Sequence, residues 1–165
     1  LPKLVEDIQS AEVPLKTVDP GVIDENLQAL KEIIGEDTIV CLGDSQHLIS
    51  QQYQLKHKVI RFLVKEMDFT HIAIEDSYYG TIAIDNAIKC NDHDLEKALK
   101  NTGGWYLWDT AEMLDFLRWL KEYNRTAGPG APSILSRDRY PGSLAGHSIS
   151  LFLFQQNRSG IRQLP

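Results

Sequence analysis

Residues 38–47 read TIVCLGDSQH and residues 70–75 read THIAIE, two short apolar runs that each end in polar residues. Ile39, Val40, Cys41 and Leu42 lead into Gly43, Asp44 and His47, while Ile72, Ala73 and Ile74 lead into Glu75. Short runs rich in β-branched residues read as buried strands. The segment between them has a helical period, so the unit reads strand–helix–strand. Such a unit predicts parallel, neighbouring strands joined by a right-handed crossover. Both strands would then end on one edge of the sheet, where open α/β sheets hold their ligands. Asp44, His47 and Glu75 are therefore expected to meet in one crevice.

Working outward, the intervening helix is expected from just after His47 to about Met67. Leu48, Tyr53, Leu55, Val59, Phe62 and Leu63 form its apolar stripe, with Lys56, Lys58, Arg61 and Lys65 on its other faces. On the N-terminal side, Asp24 can cap a helix carrying Leu27, Leu30, Ile33 and Ile34, with Gly35 as its stop. Before it, three prolines in the first 20 residues suggest an irregular lead-in with a short helix near Leu4–Gln9. Beyond the second strand, Glu75 to Gly80 reads as a loop and Ile82–Ile88 as a short helix. Asp92 or Asp94 caps a further short helix through Leu99. The aromatic turn GGWYLW at 103–108 leads to an amphipathic helix opened by Asp109 or Thr110 and ending, frayed, near Tyr123–Arg125.

At Ala127 the composition changes. Residues 1–126 hold 13 Lys and Arg against 22 Asp and Glu, whereas residues 127–165 hold 4 against 1, with no Lys, no Glu and many Gly, Pro and Ser. The chain thus divides into an α/β portion at 1–126, part of a larger domain, and an atypical tail at 127–165. The tail is expected to be disordered or not native to the rest: a frameshift, a truncation product or residues added by cloning. Its one apolar run, Ile149 to Phe154, has the pattern of a strand. The N-terminus lacks Met and any apolar leader, which suggests a processed or cut product.

The bulk numbers exclude some functions. A net charge of −6 opposes nucleic-acid binding, which needs a basic face. No run of about 18 apolar residues exists to span a membrane. Two isolated cysteines do not make a disulfide framework and fit a reducing, cytoplasmic compartment. Cys41, within a strand, is expected in the core, and Cys90 in a polar loop.

Several chemistries fit the motif residues. Asp44, His47 and Glu75 could ligate a divalent metal, as could Cys90-x-x-His93 with Asp92 and Asp94, although the latter reads better as a solvated loop. Gly43-Asp44-Ser45 suits a GDS-type serine esterase with Ser45 as nucleophile. That mechanism needs a late Asp-x-x-His partner, which the chain lacks. The plainest reading makes Asp44 a helix cap and His47 a first-turn residue. Tyr78, Tyr79, Trp105, Tyr106 and Trp108 could equally line a pocket for a bulky apolar ligand or pack internally. His57 is expected on a helix surface and His71 beside a strand.

These residues, in this order, resemble the erythromycin esterase family. The family's first strand ends in Gly-Glu-x-x-His, which Gly43–His47 resembles with Asp in place of Glu. QQYQLKHKVIRFLVKEMDFTHIAIE at 51–75 resembles the following helix and strand, and GGWYLWDTAEMLDFLRWLKEYNR at 103–125 the aromatic turn and its helix. The likeness runs from Ile23 to Arg125. It places His47 on the family's general base, Asp44 on the neighbouring acid, Glu75 on the strand-end acid, and Lys56 on a basic position usually held by Arg. The shorter acid and the loss of a bidentate fork are departures. A second catalytic His, from a later strand in the family, has no counterpart.

What the resemblance implies is a hydrolase of esters or lactones, macrolides among them, that needs no metal or cofactor. A histidine of pKa near 6.5, oriented by Asp44 or Glu75, can deprotonate water. Lys56 can pair with Glu75 or polarise the carbonyl, and the helix N-terminus after Gly43 can receive the developing charge. The expected partner is a small ester or lactone. The competing expectation is an incomplete member that keeps a crevice without turnover.

Overall fold

The apolar run at 69–74 becomes a well-buried strand because it lies inside a sheet rather than at its edge. The computed structural model describes residues 2–22, 24–43, 46, 48–76, 78–90, 92–100, 108–128, 131–136 and 149–155. Helix α1 spans Pro2–Ala11; a 3-10 turn at Glu25–Gln28 leads into α2, Ala29–Ile34. Strands β1 (Ile39–Gly43) and β2 (Phe69–Ile74) follow as expected. Helix α3 (Ser50–Glu66) between them starts later than expected, with Ile49 rather than Asp44 at its N-cap. Leu48 thus lies outside the helix and is exposed instead of joining its apolar stripe. Then come α4 (Tyr78–Lys89), α5 (Leu95–Lys100), α6 (Ala111–Ala127), β3 (Ser133–Ser136) and β4 (Ile149–Gln155).

The sheet order is β1-β4-β2-β3. β4 runs antiparallel to both β1 and β2, and only β2 and β3 pair in parallel. The expected parallel β1–β2 neighbours are therefore corrected to a mixed sheet with a strand between them. β1 and β2 still point the same way, since both oppose β4. Leu42, Leu151 and Ile74 lie in register across the three strands. Two of these strands, β3 and β4, come from the stretch set apart by its composition.

Position in the sheet explains burial. In β2, Phe69, Ile72, Ala73 and Ile74 are fully covered. β1 is an edge strand, and its residues alternate between exposed and half-buried. Cys41 falls on the exposed set, which overturns its expected place in the core.

Local signals set the helix ends. Asp24 accepts from the Asn26 N–H, and Thr110 Oγ1 accepts from the Met113 N–H at 3.1 Å, opening their helices as capping chemistry requires. Asp94 Oδ1 accepts from the N–H groups of Glu96 and Lys97 and opens α5. Gly35 closes α2 at φ 53°, a conformation costly for any residue with a Cβ. α4 starts four residues earlier than its apolar pattern suggested, so Tyr78 and Tyr79 form a first helical turn rather than a loop. The end of α6 is pinned rather than frayed, with Asn124 Nδ2 donating to the Pro132 carbonyl at 2.9 Å.

α3 packs on β2 and α6, and α4 on β3, α5 and α6. Leu63, Ile72, Ile84, Leu117 and Leu120 sit at the centre of this core. Each fully buried side chain of that size contributes roughly 1.5–3 kcal/mol.

Two α3 lysines expected outside lie inside. Lys58 is buried, donates to the Thr17 carbonyl at 2.8 Å and pairs with buried Asp24 at 3.5 Å. Burial alone would raise the Asp24 carboxyl pKa. The N–H groups of Lys16 and Asn26, with the Lys58 ammonium, outweigh it and hold the pKa below the ordinary carboxylate value. This pair ties the lead-in at 15–24 to α3. Lys58→Met is expected to lower the urea midpoint by leaving Asp24 uncompensated, and the double variant with Asp24→Asn to recover most of the loss. A double variant no better than the single would show that the pair carries no coupling.

Candidate functional site

Gly43 and Glu75 mark the C-terminal edge shared by β1 and β2, farther apart than adjacent strands would place them. With β4 between them, the ends of β1 and β2 stand two strand spacings apart, roughly 10 Å. Gly43 ends β1, and Glu75 follows β2 directly. Asp44, Ser45 and His47 lie outside the described residues, as do Trp105 and Tyr106. Leu48 has φ 62°, a left-handed conformation that costs a non-glycine residue about 1–2 kcal/mol, and its side chain is exposed. Strain of this kind collects at functional turns.

The first turns of α3 face the start of α6. Ser50 Oγ donates to Glu112 Oε1 at 2.5 Å. That hydroxyl, with the Glu112 backbone N–H, holds the Glu112 carboxyl below its ordinary pKa. Tyr53, one turn on from Ser50, meets Trp108 edge-on with ring centroids 6.1 Å apart. Lys56, one turn further, is buried in a narrow slot between the helices with Tyr53, Trp108, Glu112 and Met113. Its position on α3 is thus inward, against Trp108 and the start of α6.

Glu75 is half-buried, and Asp76 beside it is buried. The main-chain oxygen of Glu75 accepts the Trp108 indole N–H at 2.9 Å. Trp108 is only 2% exposed, so it braces the strand end from within instead of forming an open pocket wall. Tyr78 and Tyr79 are exposed, at 43% and 82%, and contact each other edge-on at 5.7 Å. They form an aromatic rim one turn beyond Glu75. The structure thus brings Lys56, Glu75 and Trp108 to one region and sets Tyr78 and Tyr79 at its margin.

His57 is the residue that sequence reasoning misplaced. It is 5% exposed, not on the helix surface, and packs against Phe116 and Trp119 at 5.3 and 5.5 Å. Burial, and then the nearby Arg61 charge, push its pKa down to about 4, so it is neutral at pH 7. Arg61 itself lies over the Trp119 ring. The aromatic spacing Phe116–Trp119 on α6 was the available signal that this side of α3 is covered. His71 is half-buried with Nδ1 3.0 Å from Thr70 Oγ1, as its strand position suggested.

Among the described residues, no group of three or more His, Cys, Asp or Glu side chains is placed to hold a metal. Cys90, Asp92, His93 and Asp94 are all exposed. No helix among the described residues is long and apolar enough to cross a membrane.

These features define an α/β unit with Glu75 and Asp76 just after its central strand and Lys56 buried on the helix before it. Its sequence resembles the erythromycin esterase family, whose profile matches residues 64–134, from the end of α3 through Glu75 and Trp108 into β3. Erythromycin esterase type II of Escherichia coli is 27% identical over 124 residues, which cover 74% of this chain and 28% of that protein. A solved structure of a succinoglycan biosynthesis protein superposes with a TM-score of 0.74 at 29% identity, covering 81% of this chain and 33% of the other. A solved Bacillus cereus protein gives 0.73 at 24% identity, covering 81% and 32%, and shares the fold. The chain spans about a third or less of the length of these relatives.

Proposed function

We propose that this chain carries part of the active site of an ester or lactone hydrolase that uses a histidine-activated water. The observation that supports it best is that β1 and β2 run the same way and end, at Gly43 and just before Glu75, on one sheet edge, with Lys56 buried on the helix between them and strain at Leu48. In this reading His47 removes a proton from water, and the hydroxide attacks the acyl carbon. The tetrahedral oxyanion is stabilised by Lys56 and by main-chain N–H groups at the start of α3. The C–O bond to the leaving alcohol then breaks, and the proton held by His47 passes to that alcohol. Asp44 or Glu75 fixes the imidazole tautomer. Tyr78, Tyr79 and Trp105 supply apolar surface to a bulky alcohol or macrolide ring, and the protein works in the cytoplasm without metal or cofactor.

A second reading follows from the share of its relatives that the chain spans: a crevice that binds esters without turning them over. Hydrolysis of a macrolide and of an aryl ester by the purified chain, beside His47→Ala and Lys56→Ala, separates the two. Turnover lost about 10²–10⁴-fold in His47→Ala supports a general base at that position. Absence of turnover in folded wild-type chain overturns the hydrolytic reading of this chain and favours binding alone. Unchanged activity in Ser45→Ala would set aside the serine-nucleophile alternative.

A further inference from the structure

The short segment from Trp108 to Glu112 touches both halves of the proposed site. At one end, the Trp108 indole N–H is bonded to the Glu75 main-chain oxygen at 2.9 Å. At the other, Glu112 accepts the Ser50 hydroxyl in the first turn of α3 at 2.5 Å. Between them, the edge-on Tyr53–Trp108 contact fixes the ring whose N–H makes the first bond. The residue after a strand is ordinarily free to rotate its peptide plane. Here the Asp76 N–H donates to the Ile74 carbonyl at 3.0 Å and the Trp108 N–H to the Glu75 carbonyl. The plane is thus held from both sides, and with it the direction in which the Glu75 side chain leaves the backbone. The first turn of α3 is anchored in the same way by a charge-assisted bond, which is stronger than a neutral one.

We infer that Trp108 and Glu112 are positioning residues, which set the Glu75 carboxylate and the start of α3 relative to each other through these two bonds. The inference rests on the hydrolytic reading for its kinetic consequence but not for its geometry. Neither residue touches the reacting atoms; each acts through a neighbour. Misplacement of reacting groups by about 1 Å can cost up to 100-fold in rate. Loss of a single bond here is expected to lower kcat by roughly tenfold, with KM unchanged.

The test replaces Trp108 with 3-benzothienylalanine, in which sulfur takes the place of the indole N–H and the ring shape is kept. Ser50→Ala removes the second bond, and Ser50→Thr restores a hydroxyl. Two readouts are taken on each folded protein: kcat and KM on an ester that the wild type cleaves, and the carboxyl-carbon NMR titration of Glu75. A lower kcat at constant KM, a moved Glu75 titration in the Trp108 replacement, and recovery of kcat in Ser50→Thr over Ser50→Ala support the inference. Unchanged kcat together with an unmoved Glu75 titration overturns it. If the wild type cleaves no ester, the hydrolytic reading falls. The Glu75 titration then decides alone, a moved titration supporting positioning by Trp108 and an unmoved one refuting it.

Discussion

Acidification from pH 7 to pH 4 is expected to cost the fold about 3 kcal/mol through His57 alone, the work of a shift from 6.5 to about 4. The folded protein holds this histidine neutral between Phe116 and Trp119, with the Arg61 charge nearby, whereas the unfolded chain protonates it near its ordinary value. In the window between the two values the unfolded state binds more protons. Stability from this residue is therefore complete above pH 6.5 and is lost as pH falls toward 4. Asp19, Glu112 and Asp115 line a cleft with His57, and the Glu112 carboxyl, held below its ordinary value by the Ser50 hydroxyl, adds its own loss of stability as it protonates. Urea unfolding at pH 7, 5.5 and 4.5 should show the loss, and His57→Leu should flatten it. A variant as acid-sensitive as the wild type would place the sensitivity in the carboxylates.

Trp108→Ala is expected to cost about 3–5 kcal/mol, the range for emptying a buried aromatic site. Trp108 is among the largest fully buried side chains, and its loss removes the ring that Tyr53 packs against and the donor to the Glu75 carbonyl. Part of the cost is the cavity, and part is a half-buried carbonyl that loses its indole donor. Trp108→Phe retains most of the apolar area and should fall well short of the alanine variant. Chemical denaturation monitored by far-UV circular dichroism separates them. A loss below about 1 kcal/mol in Trp108→Ala would mean that the site collapses around the gap.

How much of this was legible in the sequence depends on the range of the interaction. Local signals served well: the period of Tyr53, Phe62 and Leu63 located α3, Asp24 and Gly35 marked the ends of their turn and helix, and Ile149–Phe154 was recognisable as a strand. Strand order was not legible. Nothing in TIVCLG or THIAIE records that a segment over 70 residues downstream separates them, because pairing is a property of the whole sheet. The same gap misplaced Cys41, whose apolar neighbours suggest an interior strand while its edge position exposes it. β3 carries only Ile134 and Leu135 between serines, too short a run to register.

The site was legible only in part. Glu75 and Lys56 follow from position in a strand–helix–strand unit and from family resemblance. The bonds that tie Trp108 to Glu75 and Ser50 to Glu112 join residues 33 and 62 apart, and no local spacing announces them. His57 and Lys58 read as solvent-facing because they are polar. One is covered by α6 aromatics, and the other is drawn inward by Asp24.

The placement of β4 also sets an order of events during synthesis. The ribosome delivers β1, α3 and β2 long before residues 149–155, yet among the described strands it is those later residues that join β1 to β2. Until they emerge, β1 has no partner among the four strands and one edge of β2 stays open, a template for pairing with other chains. Long-range pairing of this kind slows folding. Among these four strands the first two in the chain therefore wait for the last, and chaperone demand should be high over that interval.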